Sequence, residues 1–453
     1  MRMNKHDEVF KDVENYVICS TLNQVVNYLP LTMIDNWRNP SSQLSIINLT
    51  KKMKSEASSK MKRFDNPKWD ENFSKYIQKK SNNMKCTIKN VELENNLSNL
   101  TKELDDTFYQ QDTLTADLKN PKKLLPRKTL WNVTGGQRNL LLDIMTWVQK
   151  QQKRHGQDVI MYMEGNTQQI YYTNSNKGWE FEAFSIDYSR SDIMLDGILE
   201  LAGYTTSQTS TVNYLESPIS AEDEKGIMEK AYRQLNQKVH QKDTEKQGTE
   251  FVEDILQLNK KPKVLDDMLV KRGMEDEYIA SINDDIKKYK KNMGGYLLEK
   301  MALVATKDAI QSIHRGKEKF FTGLYHSVNI KKRGDKSKYR SDLCEFDIVI
   351  TTVSGQLVII ECKAGIAPSD TLKARMYTAY ETGGVYGKPV LITPLSKKGY
   401  EEIGNMAKKE DDIEYIMTTV RAAYRSNIQI WGIDEIQEKL LELYEDMDWR
   451  DRR

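Results

Sequence analysis

The sequence predicts an α/β protein with a parallel sheet near its N-terminus and a second, mixed sheet in its last third. Over residues 1–180, short apolar segments alternate with helical segments, which is typical of a Rossmann-like sheet. In residues 291–453 the elements follow the order helix, three strands, helix, strand. The length of 453 residues exceeds what one core usually supports, so at least two compact domains are expected.

The N-terminal part contains strand-like segments that are separated by helical stretches. The predicted strands are residues 16–21, 44–49, 85–89 and 130–133, and the helices between them include residues 69–80 and 97–109. A helix at 139–151 and a hairpin-like pair of strands at 158–163 and 169–173 follow. We expect this domain to end near residue 180.

Residues 181–290 are rich in Lys, Glu, Asp and Gln, and their apolar residues recur at helical spacing, as at Phe251, Ile255 and Leu258. We interpret this stretch as a helical connector whose charge runs are solvated helix faces.

The C-terminal part begins with a helix and continues into a strand hairpin. Its predicted elements are a helix at 295–313, strands at 320–330, 344–352 and 356–362, a helix at 368–381, a strand at 389–393 and a strand–helix pair at 428–444. A Ser354-Gly355 turn joins the second and third strands.

Composition excludes several classes of protein. No apolar run approaches the ~20 residues needed to span a bilayer, and the polar segment 1–15 does not resemble a secretory signal, so we expect a cytoplasmic protein. The cysteines and histidines lack metal-ligand spacing, so any bound metal should have oxygen ligands. The net charge of +2 does not by itself imply nucleic-acid binding.

Two acidic residues and a lysine on the predicted hairpin form a candidate catalytic centre. Asp347 lies within one strand and Glu361 near the end of the next, with Cys362 between Glu361 and Lys363. Because successive strand residues face opposite sides, Glu361 and Lys363 share a face. The two carboxylates could hold Mg²⁺ or Mn²⁺, with the backbone carbonyl of Cys362 as a further ligand. Lys363 would then lie beside the attacking water of a phosphodiester hydrolysis.

Glu299, on the preceding helix, is a fourth candidate that could bind the metal directly or through water. The alternative is an exposed helix carboxylate beside Lys300. Glu345, two residues before Asp347 on the same strand face, is a second possible supporting acid. The alternative for the whole cluster is a buried edge hairpin with incidental charges.

A glycine turn in the N-terminal domain suggests a phosphate-binding site. Thr134-Gly135-Gly136 follows a predicted strand and precedes a helix, where glycine allows backbone N–H groups to approach a phosphate. The alternative is an ordinary tight connection between strand and helix.

The hairpin motif resembles the PD-(D/E)xK nuclease superfamily, whose core is αβββαβ. Here the motif reads Glu345-Phe346-Asp347, thirteen intervening residues, then Glu361-Cys362-Lys363. Phe346 stands where the name-giving motif has proline.

The complete pattern resembles the CARF-domain nucleases of type III CRISPR defence. The segments 195–203 and 381–391 also look like this family. The resemblance implies a homodimer whose sensor domains pair around a cyclic oligoadenylate, cyclic tetra-adenylate on family grounds, and thereby switch on the nuclease. It implies ligand contacts from the turn after the first strand and from the glycine turn, namely Ser20, Thr21, Asn23, Gln24, Thr134, Gly135, Gly136, Gln137 and Arg138. Gln137-Arg138 departs from the Thr-Lys often found there, which leaves the ring size open.

A basic segment between the first two C-terminal strands is a candidate substrate contact. It contains Lys331, Lys332, Arg333, Lys336, Lys338 and Arg340. Such a loop could bind a nucleic-acid backbone, and the alternative is a solvated loop.

The sequence therefore predicts a gated, metal-dependent endonuclease with a sensor domain (1–180), a helical connector (181–290) and a nuclease domain (291–453). Two other functions remain open: an ungated restriction or repair endonuclease, and a CARF regulator that binds nucleic acid without cutting it. The sequence does not distinguish DNA from RNA as substrate.

Overall fold

The structure is a computed structural model that describes residues 7–11, 13, 15–19, 21, 24–34, 45–52, 69–80, 87–94, 97–105, 108, 128–136, 138–151, 158–164, 169–174, 178–185, 191–207, 211–216, 224–239, 245–258, 261, 263–289, 292–315, 317, 319–333, 344–365, 369–384, 387–396, 418 and 420–447. The chain divides into two units, the first reaching Tyr204 and the second beginning at Thr205.

In the first unit, the described strands form a seven-stranded sheet in the order β3-β2-β1-β4-β5-β6-β7. These strands are β1 (Asn15–Cys19), β2 (Ser45–Lys52), β3 (Thr87–Glu94), β4 (Thr129–Asn132), β5 (Val159–Glu164), β6 (Gln169–Thr173) and β7 (Glu182–Ser185). Strands β1 to β5 pair in parallel, and β6 and β7 add antiparallel pairs at one edge. The predicted parallel sheet and its terminal hairpin are both present.

Helices connect these strands and cover the sheet. They are α1 (Asp7–Phe10), α2 (Val25–Thr32), α3 (Trp69–Lys80), α4 (Leu97–Leu104), α5 (Arg138–Lys150) and α6 (Leu195–Ala202). In α5, Ile144, Trp147 and Val148 recur on one face and are buried against Val17 of β1 and Trp131 of β4. The rings of Trp131 and Trp147 meet edge to face, with centroids 5.5 Å apart.

The strand order places β1 beside β4, with β2 on its other side, so the direction of strand addition reverses between β1 and β4. In open parallel sheets, ligands bind at the carboxyl ends of the strands at such a reversal. The predicted phosphate-binding turn follows β4, and the other predicted ligand turn follows β1. The topology therefore brings the two turns to one edge of the sheet.

In the second unit, the described strands form a six-stranded sheet in the order β13-β12-β11-β10-β9-β8. They are β8 (Tyr204–Thr206), β9 (Phe321–Lys332), β10 (Cys344–Thr352), β11 (Leu357–Cys362), β12 (Lys388–Thr393) and β13 (Gln429–Gly432). Strands β9, β10 and β11 are antiparallel, whereas β12 and β13 continue in parallel. This is the predicted mixed sheet.

The helices of the second unit share one core with its strands. They are α7 (Glu224–Val239), α8 (Glu245–Leu258), α9 (Val264–Lys271), α10 (Asp276–Ile286), α11 (Met293–Ile313), α12 (Ser369–Gly383) and α13 (Ile436–Met447). Phe251 of α8 and Leu297 of α11 lie in the same buried cluster as Ile348 and Ile360 of the sheet. Helices α7–α10, which fall within the predicted connector, thus pack into the second unit. The three-part division itself stays a prediction.

Two features differ from the sequence-based expectation. Strand β9 extends to Lys332, so Lys331 and Lys332 end a strand instead of lying in the predicted loop, while Lys336, Lys338 and Arg340 fall outside the described residues. The short strands β7 and β8 were not predicted, because segments of three or four half-buried residues carry little periodicity. Across the described part of the chain, no helix combines the length and apolarity needed to span a membrane.

Candidate functional site

The predicted catalytic acids lie side by side on β10 and β11. Ile348 pairs with Ile360 across the hairpin, so Asp347 and Glu361 occupy the next positions on the two adjacent strands. Both side chains are buried, with 8% and 6% of their surface exposed. Burying two carboxylates together is costly unless other groups compensate their charge.

Asp347 lies in an unfavourable electrostatic environment. Its Oδ2 accepts a hydrogen bond of 2.7 Å from the backbone N–H of Cys362. Burial raises its pKa well above the ordinary range, and the neighbouring charges of Glu361 and Glu299 raise it further. Lys363 and the Cys362 hydrogen bond oppose this rise without cancelling it. Ionising Asp347 is therefore unfavourable in this environment.

Two cations contact Glu361. The Nζ of Lys363 lies 2.6 Å from Oε1 of Glu361, and the Nε of Arg375 lies 3.3 Å from Oε2. Burial lowers the pKa of Lys363, but the charges of Glu361 and Asp347 outweigh it and raise the pKa above its usual value. Lys363 is therefore an ammonium ion at neutral pH.

Arg375 was not predicted from the sequence. It lies in the second turn of α12, and its Nη1 also donates a hydrogen bond of 2.7 Å to the backbone carbonyl of Glu345. The guanidinium thus joins β10 to Glu361 on β11. The only signal in the sequence was a basic residue on the helix that follows the Glu361-Cys362-Lys363 strand.

Glu299 on α11 reaches the same cluster and lies beside Asp347. Burial raises its pKa, and a hydrogen bond with Asp347 lowers it. Two carboxyl groups can share such a bond only if one carries a proton. Glu345, the alternative supporting acid, is exposed at the start of β10, and its charge also raises the pKa of Glu299.

His326 on β9 is a second group that sequence reasoning missed. Its Nε2 lies 3.6 Å from Oε2 of Glu299 and is buried, with no hydrogen-bond partner among the residues that the structure describes. Burial, reinforced by the charge of Lys300, lowers the pKa of His326 to about 3, so the imidazole is neutral at physiological pH. The next residue, Ser327, has a φ of 50° and lies between the pairs that flank Asp347 on β10. Positive φ at a non-glycine residue costs energy and is concentrated at functional sites.

The donor chemistry of this cluster suits a hard divalent cation. Asp347, Glu361 and Glu299 supply oxygen atoms, and their mutual repulsion would be relieved by a bound positive charge. In the arrangement seen here, the Glu361 oxygens are engaged by Lys363 and Arg375. No group of three or more His, Cys, Asp or Glu side chains within the described residues has metal-binding geometry.

In the first unit, the turns after β1 and β4 touch each other. A Cβ atom at Gly135 would lie 2.6 Å from Cγ2 of Thr21, and one at Gly136 would lie 2.6 Å from Cβ of Cys19. Gly136 also has a φ of +103°, which side-chain-bearing residues rarely adopt. The sequence suggested that these glycines give a ligand access to the backbone. The structure adds a second reason, since larger residues would force the two turns apart.

A buried hydrogen-bond network supports the two turns. The Nδ2 of Asn132 donates to the Tyr16 hydroxyl at 2.7 Å and to Oδ1 of Asn27 at 3.2 Å. The Oδ1 of Asn132 accepts from the Thr134 hydroxyl at 2.5 Å and from the Thr134 backbone N–H at 3.0 Å. The Thr134 hydroxyl in turn accepts from the Met163 backbone N–H at 2.8 Å. This network fixes the end of β4 to β5 and to α2.

The predicted ligand contacts occupy different environments. Thr21 is half-buried, while Gly136 and Arg138 are exposed. Gln24 is buried, with 1% of its surface exposed, and its Oε1 accepts a hydrogen bond of 2.6 Å from Asn27. Gln24 and Thr134 are therefore engaged in the supporting network. Ser20, Asn23 and Gln137 fall outside the described residues.

The two units define an α/β protein with a largely parallel, Rossmann-like sheet followed by a mixed sheet that carries a buried carboxylate pair. No protein-family model matches the sequence, and no curated protein matches it.

Solved structures with a similar fold include protein VC1899 from Vibrio cholerae, with 13% identity over 97% of this chain and 98% of that chain and a TM-score of 0.57. Can2 from Sulfobacillus thermosulfidooxidans, in complex with cyclic tetra-adenylate, has 12% identity, coverage of 96% and 98%, and a TM-score of 0.55. These two TM-scores show a shared fold over nearly the whole chain and confirm the predicted fold class. A type III CRISPR defence DNA nuclease activated by cyclic oligoadenylate reaches a TM-score of only 0.43, with 12% identity and 84% and 45% coverage.

Proposed function

We propose that this protein is a metal-dependent endonuclease of type III CRISPR defence that is switched on by a cyclic oligoadenylate. The observation that carries the proposal is the burial of Asp347 and Glu361 side by side, with Lys363 against them. The fold shared with Can2, whose structure contains cyclic tetra-adenylate, supports the activator. The sensor domain would comprise residues 1–180, the helical connector residues 181–290 and the nuclease domain residues 291–453.

Asp347, Glu361, Glu299 and the Cys362 carbonyl would hold Mg²⁺ or Mn²⁺. Bound there, the cation would supply Lewis acidity toward the phosphodiester and relieve the repulsion among the acids. The cost of burying these carboxylates is hard to explain by stability alone, because well-packed apolar residues would be cheaper at the same positions. A stability penalty concentrated at one group of residues is expected where chemistry requires it.

The side chains of this centre have separable roles. The Lys363 ammonium, held by Glu361, can orient the attacking water or stabilise negative charge that develops on phosphate oxygens. Arg375 fixes the second oxygen of Glu361 and ties it to the β10 backbone. The neutral His326 ring lies against Glu299, where it can limit the positions that this carboxylate adopts.

The activator would bind at the paired turns of the first unit. Backbone N–H groups at Gly135, Gly136 and the N-terminus of α5 would favour phosphate, and Arg138 adds an exposed cation. A two-fold ring suits a two-fold interface, so we infer a homodimer. The ring can favour the active arrangement only by binding it more tightly than the inactive one.

The test is cleavage of plasmid DNA, single-stranded DNA and RNA, with and without each cyclic oligoadenylate, in Mg²⁺, Mn²⁺ or EDTA. We expect cleavage that requires both the metal and one ring size, and that Glu361→Gln abolishes. Asp370→Asn is the matched control, because Asp370 lies on α12 with 98% of its side chain exposed. Cleavage that needs no cyclic oligoadenylate would favour an ungated restriction or repair enzyme. Binding of nucleic acid without cleavage would favour a regulator.

A further inference from the structure

Two tyrosines form an exposed aromatic stack in the second unit. Tyr289, in the short 3₁₀ turn Lys287–Tyr289, stacks on Tyr296 of α11, with ring centroids 3.5 Å apart and planes inclined by 21°. Tyr296 is buried, whereas Tyr289 keeps 45% of its surface exposed.

Tyr296, the buried member of the stack, contacts a buried carboxylate. Asp285 is buried and accepts hydrogen bonds from the Tyr232 hydroxyl at 2.9 Å and from the Tyr296 hydroxyl at 3.5 Å. Tyr296 cannot rotate away without leaving the Asp285 carboxylate less satisfied. Tyr289 therefore stacks on a ring that is itself buried and hydrogen-bonded, and less freedom of that ring is lost when a flat ligand binds.

Three lysines lie near the stack, together with the acidic Asp284 and Asp285. Lys287 and Lys288 belong to the same turn as Tyr289 and are exposed, and Lys288 Nζ lies 4.0 Å from Asp285 Oδ1. On the other side, Lys300 Nζ lies 5.1 Å from the centroid of the Tyr296 ring. Aromatic rings among lysines suit a ligand that combines flat bases with phosphates.

The stack also lies next to the carboxylate centre. Tyr296 precedes Glu299 by three residues on α11, which places the two side chains about 5–6 Å apart on one helix face. The rings of Tyr296 and His326 have centroids 6.4 Å apart, and His326 in turn contacts Glu299. Tyr289 is therefore linked to Glu299 through Tyr296 and His326.

We propose that Tyr289, stacked on Tyr296, is a platform that binds an unpaired base of the substrate strand beside the carboxylate centre. This inference rests on the proposed nuclease function and adds a requirement for a base that is free to leave its helix. Base–aromatic stacking is tolerant of sequence, because every base presents a flat face. The platform thus favours single-stranded or locally opened nucleic acid without selecting a sequence.

The experiment compares two labelled oligonucleotides with identical phosphates, one carrying thymine at every position and one abasic throughout. Binding to the full-length protein is measured by fluorescence anisotropy, with cyclic tetra-adenylate and Ca²⁺ present so that cleavage does not interfere. We expect wild type to prefer the base-bearing strand by about tenfold, equivalent to about 1.4 kcal/mol. Tyr289→Leu should lose this preference and bind the abasic strand as wild type does. Tyr289→Trp should retain the preference.

Tyr424→Leu is the matched control, because Tyr424 is an exposed tyrosine of the same unit, with 69% of its surface accessible. It should behave as wild type. Equal weakening of both strands by Tyr289→Leu would indicate a structural role and overturn the inference, as would an unchanged preference for bases. Neither result contradicts the proposed function if wild type cleaves nucleic acid in the cleavage assay with Mg²⁺ or Mn²⁺. If wild type neither binds nor cleaves any strand, both the function and the platform are refuted.

Discussion

Replacing Asp347 with asparagine should stabilise the metal-free protein while abolishing cleavage. Asparagine has nearly the same shape, and its side-chain oxygen can still accept the hydrogen bond from the Cys362 backbone N–H. The substitution removes a buried acid whose ionised form Glu361 and Glu299 repel. The new amide can also donate to those acids. We therefore expect a gain of about 2 kcal/mol in the free energy of unfolding, within the ~1–3 kcal/mol associated with a buried, poorly compensated polar group.

The pKa of Asp347 also determines how the folding stability should change with pH. Because burial and repulsion raise the folded-state pKa of Asp347 above its ordinary value of 3.8, the folded protein binds the proton more tightly than the unfolded chain. Stability should then fall as the pH rises from about 4 through the folded-state pKa, and Asp347→Asn should lack this part of the decline.

Thermal unfolding in EDTA across this pH range, followed by differential scanning calorimetry, provides the assay. A gain of 2 kcal/mol corresponds to a rise in Tm of about 4–8 °C for a unit of this size. Adding Mg²⁺ at about 100 times its Kd should stabilise wild type by about 2.7 kcal/mol and the variant by much less. A variant less stable than wild type in EDTA at neutral pH, or equal stabilisation of both proteins by Mg²⁺, would refute the reasoning.

Three further predictions concern the proposed nuclease and its gate. Lys363→Met should abolish cleavage at saturating activator while isothermal titration shows unchanged activator binding; retained cleavage would remove Lys363 from the centre. Replacing Lys331 and Lys332 with glutamine should weaken substrate binding and reduce the slope of log affinity against log salt by about 0.7–0.9 for each lost phosphate contact, whereas an unchanged slope would indicate a solvated strand end. Gly135→Val should raise the activator concentration needed for half-maximal cleavage, because the new side chain meets Thr21, and normal activation would exclude this turn from the activator site.

The acidic hairpin could be predicted because its signal is local. Strand alternation places Glu361 and Lys363 on one face, and the Ser354-Gly355 turn leads back to the neighbouring strand that carries Asp347. The strand alternation and the turn can both be recognised in one short stretch of sequence. Arg375 and His326 reach the same centre from a later helix and an earlier strand, and no periodicity in the sequence links them to Glu361 or Glu299. Their approach depends on how α12 and β9 pack, which only the structure gives.

The first unit shows the converse difficulty, in which residue type alone cannot separate a ligand contact from a structural one. Gln24 and Thr134 are polar residues in turns at the expected positions, and both look like ligand contacts in the sequence. The structure buries Gln24 and saturates the Thr134 hydroxyl with Asn132 and Met163. An amide or hydroxyl serves a buried network as well as it serves a ligand, and the buried partner Asn27 is distant in sequence from Asn132.

The role of Thr134 can therefore be decided by a pair of substitutions. Thr134→Val keeps the shape of the side chain but removes the hydroxyl, which leaves the Met163 N–H without its acceptor and Asn132 Oδ1 without one donor. We expect a loss of about 1–2 kcal/mol in the stability of the ligand-free protein, since an unsatisfied buried group typically costs that much. Thr134→Ser retains the hydroxyl and should lose much less.

If the hydroxyl positions the glycine turn, weaker activator binding should accompany this loss of ligand-free stability in the valine variant. Chemical denaturation without activator and titration with cyclic tetra-adenylate measure the two quantities separately. A valine variant with wild-type stability but weakened activator binding would show that the hydroxyl contacts the ring. The buried network would then not be what holds the turn in place, because its loss would have cost the ligand-free protein nothing.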